Sequence, residues 1–402
     1  MKYVNANTLL PAVLVEELQG YIQGGYIYVP VRQDQPKHWG ELSGYREELE
    51  KFTERLVMNT IYEKIHDLLN EKNVPEYRFN QILHSIFKQR IGKYEDMKTL
   101  PQSIREMLIS EFGSTVYGVR PTLENDLGQV GKMLFELCDG NKVEAVCLRY
   151  QRGWESFCIS SQCGCCFGCK FCATGTLGLK RNMTAEEITD QLLYFFLSGH
   201  NLDSISFMGM GEPLANPNVF EALSILTNPD LFGLSQRRIT LSTIGMIPGI
   251  RRMTKDYPQV NLAYSLHSPF EDQRNELMPI NKKYPLHDVI KVLDSHIQHT
   301  GRKVFIAYIL LNQINDSMKH AEALANLLQG RDTCSHLYHV DLIPYNYTDK
   351  TEQHFTPSSY HQVQRFQKKL RDNGIEVTVR AQFGSRVNAA CGQLYVDTEK
   401  PH

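Results

Sequence analysis

Residues 158–172 read CISSQCGCCFGCKFC, and this run holds six of the ten cysteines in a chain of 402 residues. Thiols crowded into one segment, instead of spread through a small domain, argue against a disulfide framework. Structural zinc usually takes two short-spaced ligand pairs separated by a longer loop. Beyond Cys172 only Cys334 and Cys391 follow, both isolated. Within the run, Cys165, Cys169 and Cys172 have the spacing C-x3-C-x2-C. Thiolates are the usual ligands of iron–sulfur clusters, and a four-iron cluster normally takes four of them. Three with no evident fourth leave one iron open to another ligand. A zinc-stabilised RNA-binding module without catalysis stays open as the reading of another class.

The composition is that of an ordinary globular protein, 42% hydrophobic and 22% charged. No apolar run is long enough to span a bilayer. The start, MKYVNANTLLPAVLVEELQG, has early acidic residues and no small-residue cleavage site, so no signal peptide is expected. The expected setting is the reducing cytoplasm, away from membranes, where clustered cysteines point to metal or redox chemistry. A net charge of −2 gives no general electrostatic reason to bind RNA. Basic pairs do occur, at Lys180–Arg181, Arg237–Arg238, Arg251–Arg252, Lys282–Lys283 and Lys368–Lys369. Phosphate binding requires several of them to converge on one face.

Along the chain, residues 1–55 contain the strand-like GGYIYVPVRQD and a charged helical stretch, and read as an extension of unassigned role. Residues 56–113 have helical periodicity: Ile61, Ile65, Leu68 and Leu69 share one face, and Ile82, Ile86 and Phe87 another. Residues 114–152 read as a β-rich connecting segment. From 153 to 385 strands and helices alternate, which argues for parallel strands with crossover helices. The expected strands are 157–160, 204–208, 239–242, 261–265, 304–310, 338–343 and 376–379. Thr184 and Glu187 form a capping box at the head of one helix, and Pro285 opens another. Residues 386–402 form a C-terminal loop and tail. In parallel α/β folds, sites lie at the C-terminal ends of strands. GMGEP (209–213), STIG (242–245), SLH (265–267) and PYN (344–346) all fall there.

The C-x3-C-x2-C run with an aromatic, Phe171, before its last cysteine resembles the signature of radical S-adenosylmethionine (SAM) enzymes. SFMGMGEPL, LSTIG, YSLHSP, LMPINKKY and AACGQLY, in that order, resemble the rRNA adenine methyltransferases of the Cfr/RlmN type. The resemblance runs from about residue 57 to the end. It implies a partial (β/α)6 barrel with a small helical RNA-binding domain before it. It also implies a [4Fe-4S] cluster on Cys165, Cys169 and Cys172, whose open iron is chelated by SAM. Gly211, Glu212, Ser242, Ser265, Leu266, His267 and Asn346 match positions that contact SAM. Cys391 matches the cysteine that is methylated and carries the one-carbon unit, Glu144 the proton acceptor, and Cys158 the thiol that resolves the adduct through a transient disulfide. Two SAM molecules are consumed per turnover. The partners implied are 23S rRNA and an electron donor such as flavodoxin or ferredoxin, with the enzyme a monomer. Asn388 replaces the family aspartate three positions before Cys391.

The family divides into enzymes that methylate C2 of adenosine 2503 of 23S rRNA, some acting also on tRNA, and enzymes that methylate C8 and confer antibiotic resistance. Trp154, Cys163, the RAQFG run (380–384) and Tyr395 are similar to the C8 branch, whereas Pro213 is more like the C2 branch. The resemblance is closest to the C8 branch, with C2 methylation the alternative. Cys163 and Cys166 carry no assigned role.

Overall fold

The computed structural model describes residues 60–380 except 127, 332–333, 347–350 and 352–354. The extension at 1–55 and the tail with Asn388, Cys391 and Tyr395 lie outside the described residues. The chain divides into two compact units, residues 1–64 and 65–402. Three helices come first, α1 (Ile61–Glu71), α2 (Tyr77–Phe87) and α3 (Gln102–Phe112). In α2 the apolar spacing buries Ile82, Leu83, Ile86 and Phe87 together on one face.

Three strands follow, β1 (Arg120–Asp126), β2 (Val130–Glu136) and β3 (Lys142–Arg149), joined antiparallel. Next comes β4 (Glu155–Cys158), antiparallel to β3 on one side and parallel to a later strand on the other. A short hairpin, β5 (Gln162–Gly164) with β6 (Leu179–Asn182), encloses the cysteine loop and the one-turn helix α4 (Ala173–Thr176). The remaining strands are β7 (Ser204–Phe207), β8 (Ile239–Thr243), β9 (Asn261–Ser265), β10 (Val304–Leu310), β11 (Tyr338–Pro344) and β12 (Glu376–Val379). The main sheet has ten strands in the order β1-β2-β3-β4-β7-β8-β9-β10-β11-β12.

Within the main sheet every pairing from β4 to β12 is parallel. Parallel neighbours need crossover connections. The helices that supply them are α5 (Ala185–Leu197), α6 (Asn218–Thr227), α7 (Ile247–Asp256), α9 (Leu286–Thr300), α10 (Met318–Leu328) and α11 (Tyr360–Asp372), while α8 (Glu271–Leu277) is an extra helix after β9. Seven parallel strands with six crossovers form the six-unit α/β architecture that the resemblance implied. Each expected strand falls within two residues of an observed one. Such strands are legible because both faces are covered: β10, VFIAYIL, is buried along its length or nearly so.

The capping box at Thr184 is present. Its hydroxyl accepts from Glu187 N at 3.2 Å, and the Glu187 carboxylate accepts from Thr184 N at 3.0 Å. The β5–β6 hairpin was not anticipated. It depends on Gly164, whose φ is +85°; a Cβ there would lie 1.8 Å from the Gly178 carbonyl oxygen. Glycine is the residue that tolerates both constraints. Gly209 allows a second close approach, since a Cβ there would lie 2.6 Å from the Ile159 carbonyl oxygen, itself bonded to Gly209 N at 3.0 Å.

The Gly209→Ala variant should force β4 and β7 apart at their ends, at a cost of about 1–3 kcal/mol typical of overpacking. Urea unfolding of the iron-free protein, followed by circular dichroism, should show a lower midpoint with an unchanged slope.

Candidate active site

The cysteine loop leaves the C-terminal end of β4 and folds back on itself. Cys165 N donates to Gly178 O at 2.9 Å, Cys172 N to Cys169 O at 3.1 Å, and Gly175 N to Cys172 O at 3.1 Å. Cys169 is buried; Cys165 and Cys172 are partly exposed. Burial pushes the Cys165 thiol up to about 12, and raises Cys169 and Cys172 as well; at Cys165 and Cys169 the neighbouring thiols add to the effect. Thiolates at all three positions therefore need a bound cation to stabilise them, and coordination deprotonates a thiol outright. An apolar sheath of Leu277, Met278, Ile280, Leu311, Tyr345 and Phe355 packs around Cys169, with Phe167 and Phe171 against it.

Among the described residues, the one group of metal-ligating atoms closing within 4.8 Å is Cys147–Glu155–His200. The three loop cysteines are not in that group. Three thiols with no fourth suit a cluster with one open iron better than a structural zinc ion, which takes four ligands. The donor set, the apolar sheath and the open fourth position all suit a [4Fe-4S] group.

Glu212 is turned inward. Its Oε1 accepts from Thr243 Oγ1 at 2.6 Å and Leu214 N at 3.2 Å, and its Oε2 from Ile244 N at 2.9 Å. A carboxylate offers about four acceptor positions, so one is left for an ammonium group. Burial pushes Glu212 up to about 7, against the hydrogen bonds from Thr243, Ile244 and Leu214. Gly211 has φ +95° and lies so close to Gln162 that a Cβ would stand 2.5 Å from the Gln162 Cβ. Gln162 in turn accepts from Glu212 N at 2.8 Å. The GMGEP loop is thus braced both to the hairpin and to the end of β8.

Ser242 and Ser265, from adjacent strands, bring their hydroxyls to 3.5 Å. Leu266 is fully buried; its N–H goes to Ala307 O at 3.1 Å, and its carbonyl accepts from Ser268 N and from Arg274, leaving its side chain for any ligand contact. His267 is held at φ +56°, a conformation uncommon for a non-glycine residue. Its Nδ1 accepts from Ile309 N at 3.0 Å, and its carbonyl accepts from Asn315 Nδ2 at 2.7 Å. Burial, aided by the Arg274 charge, lowers His267 to about 3, so the ring is neutral. Phe171 meets it edge-on at 4.8 Å between centroids, tying the cysteine loop to the end of β9. Asn346 is exposed, two residues past β11.

Cys158 closes β4, with Val146 opposite it on β3 and Ser206 on β7. Its thiol is raised by burial and by Glu144, and lowered by hydrogen bonds from Ser206 and Met208 and by the charge of Arg380. Glu144 sits two residues along β3, in a buried ion pair with Lys132 at 3.0 Å. Both side chains are almost fully enclosed, at 1% and 2% exposure. The structure brings Glu144, Cys158, Glu212 and the cysteine loop to one end of the sheet. Arg380 reaches the same end, with Nη1 3.4 Å from Met208 Sδ. Cys391, eleven residues beyond Arg380, lies outside the described residues.

Sequence reading missed Lys132, Thr243, Gln162 and Arg274. The available signal for Lys132 was a single cation in the otherwise apolar VGKMLF. For Thr243 and Gln162 no local signal exists, since each acts through a partner distant in sequence.

Residues 159–325 match the Radical SAM superfamily. The ribosomal RNA large subunit methyltransferase Cfr of Lachnoclostridium phytofermentans is 61% identical over 333 residues, 83% of this chain and 97% of that protein. The protein of the same name from Clostridium botulinum strain Loch Maree is 58% identical over 340 residues, 85% of this chain and 98% of its own length. A crystal structure of a radical SAM methyltransferase from Sphaerobacter thermophilus superposes with a TM-score of 0.77 at 37% identity, covering 83% of this chain and 97% of that one.

Two outcomes follow from the buried charges. Lys132→Met should cost about 3–5 kcal/mol by removing the buried cation that faces Glu144, and adding Glu144→Gln should restore most of it, as read by urea unfolding of the iron-free protein. Glu212 binds its proton more tightly folded than unfolded, so the native state holds more protons between about 4.5 and 7 and stability falls as pH rises through that window. Unfolding midpoints at several pH values from 4.5 to 7.5 should show a shallower fall for Glu212→Gln than for the parent.

Proposed function

Since the chain belongs to the Cfr ribosomal RNA large subunit methyltransferases of the radical SAM superfamily, we propose that it methylates C8 of adenosine 2503 of 23S rRNA and so confers resistance to antibiotics bound beside that base. The observation that carries the reading is the gathering of Glu144, Cys158, Glu212 and the three-cysteine loop at one end of the sheet.

Cys165, Cys169 and Cys172 would hold a [4Fe-4S] cluster, which when bound would supply the electron that cleaves SAM to a radical. That radical would take a hydrogen atom from the S-methyl group of Cys391, leaving a carbon radical able to add to an adenine carbon that is not nucleophilic. Glu212 receives the amino group of SAM at its remaining acceptor position, and Ser242, Ser265 and His267 line the same opening. Cys391 supplies the thiolate that accepts a methyl group. Glu144 takes the proton that the adenine ring carbon gives up, and Lys132 holds its carboxylate in place. Cys158 attacks the sulfur of Cys391, forming a disulfide as the carbon–sulfur bond to RNA breaks. The base must leave its stack to reach these groups. In this reading residues 56–113 form an RNA-binding accessory domain, 153–385 the catalytic barrel and 386–402 the carrier tail. The enzyme acts as a cytoplasmic monomer fed by a protein electron donor. No helix among the described residues is long and apolar enough to cross a membrane.

Iron-loaded enzyme acting on 23S rRNA should yield 8-methyladenosine in nucleoside mass spectrometry. Detection of 2-methyladenosine alone would move the methyl group to C2 and leave the radical reaction standing. Cys158→Ala should accumulate a covalent protein–RNA adduct visible on a denaturing gel. Glu144→Gln should slow product release by about 10²-fold or more, the usual worth of a general base.

A further inference from the structure

Arg274, on α8, is fully buried. Its Nε donates to Asn281 Oδ1 at 2.9 Å, its Nη2 to Ile244 O at 2.9 Å and its Nη1 to Ser265 O at 2.8 Å. Nη1 also reaches the Leu266 carbonyl and, at 3.2 Å, Met278 Sδ. The guanidinium lies over the Tyr264 ring, 5.0 Å from its centroid. Among the described residues no carboxylate forms an ion pair with it. Two carboxylates are each kept one residue away: Asn281 Nδ2 donates to Glu271 Oε2 at 2.6 Å, and Ile244, whose carbonyl Arg274 holds, donates its N–H to Glu212 Oε2 at 2.9 Å.

A buried cation normally carries a carboxylate partner or shifts its protonation. Arginine does not deprotonate in proteins, so this charge persists whatever the pH. Neutral carbonyls, an amide, a thioether and an aromatic ring solvate it without cancelling it. Its field therefore extends into its surroundings, and those surroundings are the cysteine loop. Met278, in contact with the guanidinium, packs in the same buried cluster as Cys169. Leu277 O accepts from Lys170 N, the residue after Cys169, at 3.1 Å.

Three thiolates around an oxidised four-iron core leave one net negative charge, and reduction adds a second. In an apolar sheath that second charge is costly unless a fixed cation stands nearby. We propose that Arg274 is a positioning residue whose permanent, carboxylate-free charge favours the reduced state of the cluster held by Cys165, Cys169 and Cys172. This rests on the cluster reading above. The same fork fixes the carbonyls that follow β8 and β9, which places the charge at a set distance from the loop.

The test uses the full chain reconstituted with iron and sulfide, without SAM or RNA. The ratio of reduced to oxidised cluster is read by electron paramagnetic resonance at a fixed, mediator-set potential. For Arg274→Gln that ratio should fall at least tenfold below the parent. For Arg274→Lys, which keeps the charge and loses the fork, it should stay within threefold. Equal ratios in the Gln variant and the parent, or equal falls in both variants, would overturn the proposal and leave Arg274 a structural brace. If the Gln variant fails to hold iron, the Lys variant decides. Iron retained with a near-parental ratio supports the charge role, and iron lost there too refutes it. A parent protein that takes up zinc and no iron would instead sink the cluster reading itself.

Discussion

The Ser160 hydroxyl joins the two halves of the sheet. It donates to Glu144 O at 2.6 Å and accepts from Met210 N at 2.9 Å, with no exposure to solvent. Glu144 belongs to the antiparallel part and Met210 to the loop after the first parallel crossover. The chain reverses its pairing sense at β4, and the turn that follows must leave room for the cysteine loop while keeping both neighbours in register. Gln191, on α5, completes the junction by accepting from Ser160 N at 3.0 Å and donating to Ser160 O at 2.9 Å. From this point the cysteine loop, the GMGEP loop and the Glu144 carboxylate acquire their common level.

Four buried ionisable groups surround that level, and they are handled in three ways. Lys132 and Glu144 neutralise one another. Burial raises Glu212 to about 7, so below that pH its own proton neutralises it. Arg274 keeps its charge and has dipoles around it. A site that must hold an anionic cluster and a cationic sulfonium substrate needs fixed charges of both signs, because low dielectric magnifies each of them.

Much of this was legible before the fold was known. The seven parallel strands were visible because buried strands are continuous apolar runs ending at glycine or polar turns. The three loop cysteines stood out because C-x3-C-x2-C is a local spacing. Gly211 and Glu212 stood out as a glycine-bracketed acid at a strand end. Lys132 did not, because a lysine in a strand is ordinarily a solvent-facing residue, and its burial depends on Glu144 in the neighbouring strand. Thr243 lay next to Ser242, which drew the attention instead, yet it is Thr243 that bonds Glu212. Arg274 sits in the charged EDQRNEL segment, where one more cation carries no distinguishing mark. What could not be read was pairing across the sheet, which is fixed by register and by helix placement.

The nearness of Glu144 to Cys158 bears on the order of events. The Glu144 charge disfavours the Cys158 thiolate, beside the larger effect of burial. In the proposed reaction Glu144 loses that charge on taking the ring proton, so the step that prepares the adduct for release would also ease ionisation of the thiol that releases it. Two residues on neighbouring strands would then act as an interlock.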